Sequence, residues 1–123
     1  MTDSKIQSYR DLRVWQEAVN LAEICYRLTR NFPKDELYGM VAQIRRASVS
    51  ISANIAEGYG RRTRGEYIQF LYMGQGSLKE LETHLIICQR VQLASPENIT
   101  PILTQCESVG KLLSALIRSL ESK

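Results

Sequence analysis

Residues 45–66 read RRASVSISANIAEGYGRRTRGE, from Arg45 to Glu66. The first half has helical spacing with almost no polar face: its side chains are small, and Asn54 and Glu57 sit inside an otherwise apolar surface. A helix apolar all round is covered on every side, by its own fold or by other subunits. Gly58 and Gly60 are expected to break it, and three arginines, Arg61, Arg62 and Arg64, follow in a turn open to solvent. The helical half decides the fold; the basic turn is a candidate contact surface, or else a solvated loop whose arginines pair with local acids such as Glu57 and Glu66.

Outward from this stretch, apolar residues recur at three- and four-residue steps almost throughout. Leu12, Trp15, Val19, Ala22 and Tyr26 form one stripe and Val14, Ala18, Leu21, Cys25 and Leu28 another, predicting a helix over about residues 10–31. Phe32-Pro33 ends it, because a proline biases its predecessor away from helical geometry. The second helix is predicted from Leu37 to Glu57, with Val41, Ile44, Ser48, Ile51 and Ile55 on its main stripe. Thr63 followed by Glu66 is a capping-box pair, so a third helix starts there and runs about 27 residues to Arg90. Gly74 and Gly76 lie inside it, each costing about 1 kcal/mol against alanine, which implies close backbone packing against the small residues of helix two. The last helix starts at Ser95-Pro96 or at Thr100-Pro101, both good cap and first-turn pairs. No strand-like alternation competes. The expected architecture is all-α: an antiparallel up-down-up-down four-helix bundle over residues 9–123, after a polar tail over residues 1–8. A bundle of this size has no centre in which to hide a helix, so the surplus face of helix two reads as an oligomer interface.

At 123 residues the chain makes one domain. No apolar run approaches the ~20 residues that span a bilayer, and the N-terminus lacks the apolar core of a secretory signal; no membrane role is expected. Cys25, Cys88 and Cys106 are widely spaced inside helical patterns, with no CxxC pair for zinc. They read as reduced core residues of a cytoplasmic protein. The net charge of +3 divides unevenly, +4 over residues 1–64 and −1 over residues 65–123. This is a mild basic bias rather than a strongly cationic footprint.

Three constellations carry candidate chemistry. Ser77, Glu80 and His84 share one side of helix three. Di-iron bundles need Glu-x-x-His on each of two helices, whereas His84 is the only histidine and stands four residues from its acid. An interhelical hydrogen bond is therefore the expected role. Asn54, Glu57, Arg45 and Arg46 form a second set on helix two. Glu57 and Glu80 could flank a substrate, yet no nucleophile–base pair, cofactor loop or ligand cluster accompanies them. They read as assembly groups pairing with arginines or amides, and no cofactor or metal is expected. Arg61, Arg62 and Arg64, supported by Arg45 and Arg46, are the candidate nucleic-acid contacts, since a guanidinium fork donates two hydrogen bonds to a phosphate. Tyr59 and Tyr67 stand beside them as candidate stacking surfaces.

Several short motifs together resemble a known family: Tyr9-Arg10-Asp11-Leu12-x-Val14-Trp15-Gln16; Phe32-Pro33; Glu36-x-Tyr38-Gly39; Gln43-x-Arg45-Arg46-Ala47; Ser50-Ile51-x-x-Asn54-Ile55-Ala56-Glu57-Gly58; and Gly76-Ser77-x-x-Glu80-x-Glu82. In this order and spacing the chain looks like the bacterial four-helix bundle proteins related to the product of intervening sequences in large-subunit ribosomal RNA genes. The resemblance covers about Tyr9 to Leu120. It implies a ring-shaped homopentamer without enzymatic activity, similar to the accessory variability protein of diversity-generating retroelements, which binds nucleic acid and a protein partner through a basic surface. At +3 this chain is less basic than the retroelement members, and no individual binding residue is carried over.

Overall fold

The computed structural model describes residues 5–123, and residues 1–4 of the expected polar tail lie outside that range. Among the described residues the chain is all helix: α1 spans Arg13–Thr29, α2 Ala42–Tyr59, α3 Arg64–Arg90 and α4 Pro96–Glu121. A 3-10 turn, Tyr9–Asp11, precedes α1, and Ser8 caps it. The Ser8 hydroxyl accepts from the Arg10 amide, and the Asp11 carboxylate accepts from the amides of Gln7 and Ser8. This reciprocal cap forms a separate turn, so α1 begins at Arg13 rather than near residue 10.

The second helix starts five residues later than its periodicity suggests. Leu37–Val41 forms a π turn in which Gly39 has non-helical angles (φ −104°, ψ −111°). The Glu36 carboxylate accepts from the Met40 amide at 3.2 Å and closes this turn. At its other end α2 runs through Gly58 and stops at Gly60, whose amide bonds back to Glu57. The expected break at Gly58 is thus corrected: Gly58 is buried within the helix. A Cβ there would lie 2.8 Å from the Phe70 Cβ and 3.1 Å from the Tyr67 carbonyl. The Thr63 hydroxyl accepts from the Glu66 amide and opens α3. The Ser95 hydroxyl does the same for Asn98 and opens α4, which continues through Pro101.

One core joins all four helices: Val14, Ala18, Leu21 and Cys25 from α1; Ile44, Ala47, Ile51 and Ile55 from α2; Leu71, Leu78, Leu81, Leu85 and Cys88 from α3; and Ile99, Cys106, Val109 and Leu113 from α4. The stripe beginning at Val14 is the core face of α1, while Val19 and Tyr26 of the neighbouring stripe are partly exposed. α2 and α3 make the most extensive helix pair. Along it Ser50 meets Ser77, Asn54 meets Gly74 and Gly58 meets Phe70, so numbers fall on one helix as they rise on the other. α3 and α4 behave likewise, with Tyr72 at Glu121, Gln75 at Ser114 and Leu78 at Gly110. Of the two glycines expected to pack closely, only Gly74 faces a backbone: its Cβ would lie 3.7 Å from the Ile51 carbonyl. Nothing lies within 4 Å of a Cβ on Gly76.

Candidate nucleic-acid interface

The five candidate arginines divide between the two ends of α2. Sixteen residues separate Arg45 from Arg61, a rise of about 24 Å at 1.5 Å per residue. Arg45 is half-buried against α1: its Nε donates to Thr29 Oγ1 at 2.9 Å, and its guanidinium lies 4.4 Å from the centre of the Tyr26 ring. Arg46 is exposed and donates to Gln43 Oε1 at 2.8 Å. Arg45 thus ties α2 to α1, Arg46 bonds only within α2, and neither joins the arginine turn.

At the turn, Arg61 pairs with Glu57 at 3.6 Å and stacks 4.5 Å above the Phe70 ring. Arg62 is exposed. Arg64 donates to the main-chain carbonyl of Lys123, which fastens the start of α3 to the end of α4. Tyr59 and Tyr67 meet edge to face, 6.0 Å between centroids, with Tyr67 half-buried. Burial and the neighbouring Tyr59 raise the Tyr67 phenol above its ordinary value. These rings therefore pack on each other. The helix pairings also bring the C-terminal part of α4, with exposed Arg118 and Lys123, to this end, while Glu121 is engaged by the Tyr72 hydroxyl at 3.0 Å. Sequence reading misses these two cations because they stand more than fifty residues beyond the turn; the pairing of α3 with α4 is the signal that places them. An open groove of about 750 Å³ continues from Arg118 between α3 and α4, with Lys79, Glu82, Glu107 and Lys111 on its walls. Its charge is mixed.

The polar residues of the α2–α3 seam form a small lock. Asn54, only 8% exposed, donates to the Ser50 carbonyl at 2.8 Å and to Ser50 Oγ at 3.1 Å, and Ser77 Oγ donates to Ser50 Oγ at 3.0 Å. Of these only the Ser50–Ser77 bond crosses from α2 to α3, and it favours one relative height of the two helices. Glu80 and His84 contact each other at 3.3 Å along α3, so their bond lies within one helix and is not the interhelical contact expected. His84 Nδ1 is buried without a partner. The side chains of Glu57 and Glu80 are 61% and 50% exposed. Measured from the Ser50–Ser77 contact, they lie in opposite directions, ten residues of helical rise apart, or about 15 Å. Paired glycosidase carboxylates stand no more than about 9.5 Å apart. Among the described residues, no group of three His, Cys, Asp or Glu is placed to hold a metal ion, and no helix is long and apolar enough to cross a membrane.

The family model for 23S rRNA-intervening sequence protein matches residues 10–115. The fold is similar to the crystal structure of a protein of unknown function from the S23 ribosomal protein family of Bacteroides thetaiotaomicron. The TM-score is 0.76 at 25% identity, over 85% of this chain and 97% of that one. No curated protein matches.

Proposed function

The chain belongs to the 23S rRNA-intervening sequence protein family, and from that premise we propose that it is a non-enzymatic, self-assembling, cytoplasmic bundle that binds RNA or DNA, beside a protein partner, through its arginine turn. The family's name makes ribosomal RNA the first ligand to test. One observation carries the reading. Arg61, Arg62 and Arg64 are all exposed within four residues, and Arg118 and Lys123 come to the same end of the molecule. In an antiparallel up-down-up-down bundle, which the α2–α3 and α3–α4 pairings support, every subunit presents this set at one end. A ring-like homopentamer would repeat the set around its rim and multiply its field. The outward side of the α2–α3 pair, with Val49, Ala53 and Met73 exposed, is the apolar surface such a ring would cover.

The test is binding to ribosomal RNA fragments across a salt series. Each phosphate contact contributes about −0.7 to the slope of log affinity against log salt on single strands. Changing Arg61, Arg62 and Arg64 to glutamine should flatten that slope by about 2 per engaged subunit. An unchanged affinity and slope in the triple variant would remove the nucleic-acid role. A second reading, a protein-partner scaffold, is favoured by the engagement of Arg61 with Glu57 and Phe70 and of Arg64 with Lys123. It predicts a stable oligomer that is not retained on RNA at physiological salt.

A further inference from the structure

The mixed charges of the α3–α4 groove are sorted along its length. Leu78 meets Gly110 and Gln75 meets Ser114, so Glu82 stands level with Cys106 and Glu107, and these two acids make the far half of the groove acidic. Lys79 lies just before them, and its ammonium is engaged by Glu82 at 3.3 Å. Lys111 and Arg118 line the half nearer the arginine turn. Both are exposed, and neither forms a salt bridge among the described residues. Seven residues separate them, two turns of one helix side, or about 10 Å at 1.5 Å per residue. Between them Ser114 is small and its hydroxyl is engaged by Gln75, so the wall that joins the two cations is low and uncharged.

This cationic half is continuous with the arginine turn. The Ser122 amide donates to the Arg118 carbonyl at 3.1 Å, and Arg64 donates to the carbonyl of the next residue, Lys123. Arg62, Arg64, Lys123, Arg118 and Lys111 therefore follow one another from the turn along α4. Tyr72 stands at the junction on the α3 side, 49% exposed, with its hydroxyl donating to Glu121 across the two helices. A ring pinned by its phenol and open to solvent is a platform for an unpaired base. A trough between neighbouring helices, whose axes stand about 8–10 Å apart, is matched to one sugar–phosphate strand and too narrow for a duplex.

We infer that the α3–α4 groove is a track for a single strand of nucleic acid that leaves the arginine turn, sets phosphates at Arg118 and Lys111 and a base on Tyr72, and is turned away at Glu107 and Glu82. The track rests on the nucleic-acid reading above and adds to it a path and a class of strand. The probe is an oligouridine long enough to cover the turn and the groove, titrated across a salt series. Lys111→Gln combined with Arg118→Gln should flatten the slope of log affinity against log salt by about 1.4, at 0.7 per phosphate contact. Over a tenfold change in salt that difference amounts to about 25-fold in affinity. Arg30→Gln combined with Lys34→Gln removes the same charge from exposed positions at the opposite end of the bundle and should leave the slope unchanged. With 4-thiouridine in the strand, photo-adducts should fall on Tyr72 and on residues 111–118. An unchanged slope in the groove variant, or equal flattening in the two double variants, would overturn the track; flattening by the arginine-turn triple variant would still leave the nucleic-acid reading standing. Groove substitutions that weaken the binding of polyglutamate and spare oligouridine would also overturn it, since the groove would then take an acidic protein segment. A parent protein that binds no oligouridine even at low salt would overturn both.

Discussion

Cys25, Cys88 and Cys106 are the residues at which burial translates most directly into a titration. All three side chains are fully covered by the core. Burial pushes the Cys25 thiol up from its ordinary 9.0 to about 12 and that of Cys88 to about 11, where Glu36 adds to the rise; burial also pushes Cys106 to about 12, with Cys25 nearby as a lesser cause. The cause is that a thiolate loses its hydration in the core. The sign follows from linkage. Folded values lie above the unfolded one, so this stabilisation is fully present below about pH 9 and is lost as pH rises through 11–12. Urea midpoints should therefore be insensitive to these groups up to about pH 8.5 and fall above it, and a Cys25→Ala, Cys88→Ala, Cys106→Ala protein should show a shallower alkaline fall. Unequal slopes are the readout, since the cavities left by alanine lower stability at every pH. Identical slopes would mean that the thiols titrate normally. The place of these cysteines was legible in sequence because each falls on an apolar stripe; the unpartnered Nδ1 of His84 was not, because it depends on what the neighbouring helix places above it.

Among the elements, periodicity located α3 to within a residue, since Thr63 and Glu66 encode its start within one turn of chain. The starts of α1 and α2 were illegible for a common reason: Ser8–Asp11 and Glu36–Met40 each close a short turn that continues the apolar spacing while interrupting the helix. Gly58 shows the deeper limit. Next to Gly60 it looks like a second helix stop, and only the approach of Phe70 from α3 reveals it as a contact point. Gly58→Ala should cost about 1–3 kcal/mol, because the added methyl meets a Cβ and a carbonyl rather than a yielding side-chain tip. Gly76→Ala is the contrast. Open space surrounds that position in the subunit, so better helix propensity should stabilise it by up to about 1 kcal/mol. Chemical denaturation of the two variants should give shifts of opposite sign, and a neutral Gly58→Ala would show that α2 and α3 can separate without loss.

For the whole molecule, the helical class was written in the spacing of apolar residues, but the candidate interface was only half legible. Sequence proximity joined Arg45 and Arg46 to the arginine turn, whereas a helix places its two ends about 24 Å apart. Chain reversal then supplied Arg118 and Lys123 from far along the sequence. The arginine turn at one end and the exposed apolar side of α2–α3 are thus separate surfaces, and a single substitution can test them apart. Ala53 is exposed at the middle of the outward side of α2, away from every arginine of the turn. Ala53→Glu should leave subunit stability within about 0.5 kcal/mol, the ordinary range for surface changes. If the α2–α3 side is the joint between copies, a buried unpaired carboxylate there is costly, and the mass by light scattering should fall toward the 14.0 kDa of one chain. Affinity for a long RNA should fall with it, on the order of a hundredfold, because one arginine set then acts without the others. Affinity for a fragment short enough to touch one subunit should not change. The arginine-to-glutamine protein should behave in the opposite way, keeping its mass and losing affinity for long and short RNA alike. An Ala53→Glu protein that retains both mass and long-RNA affinity would show that copies meet elsewhere.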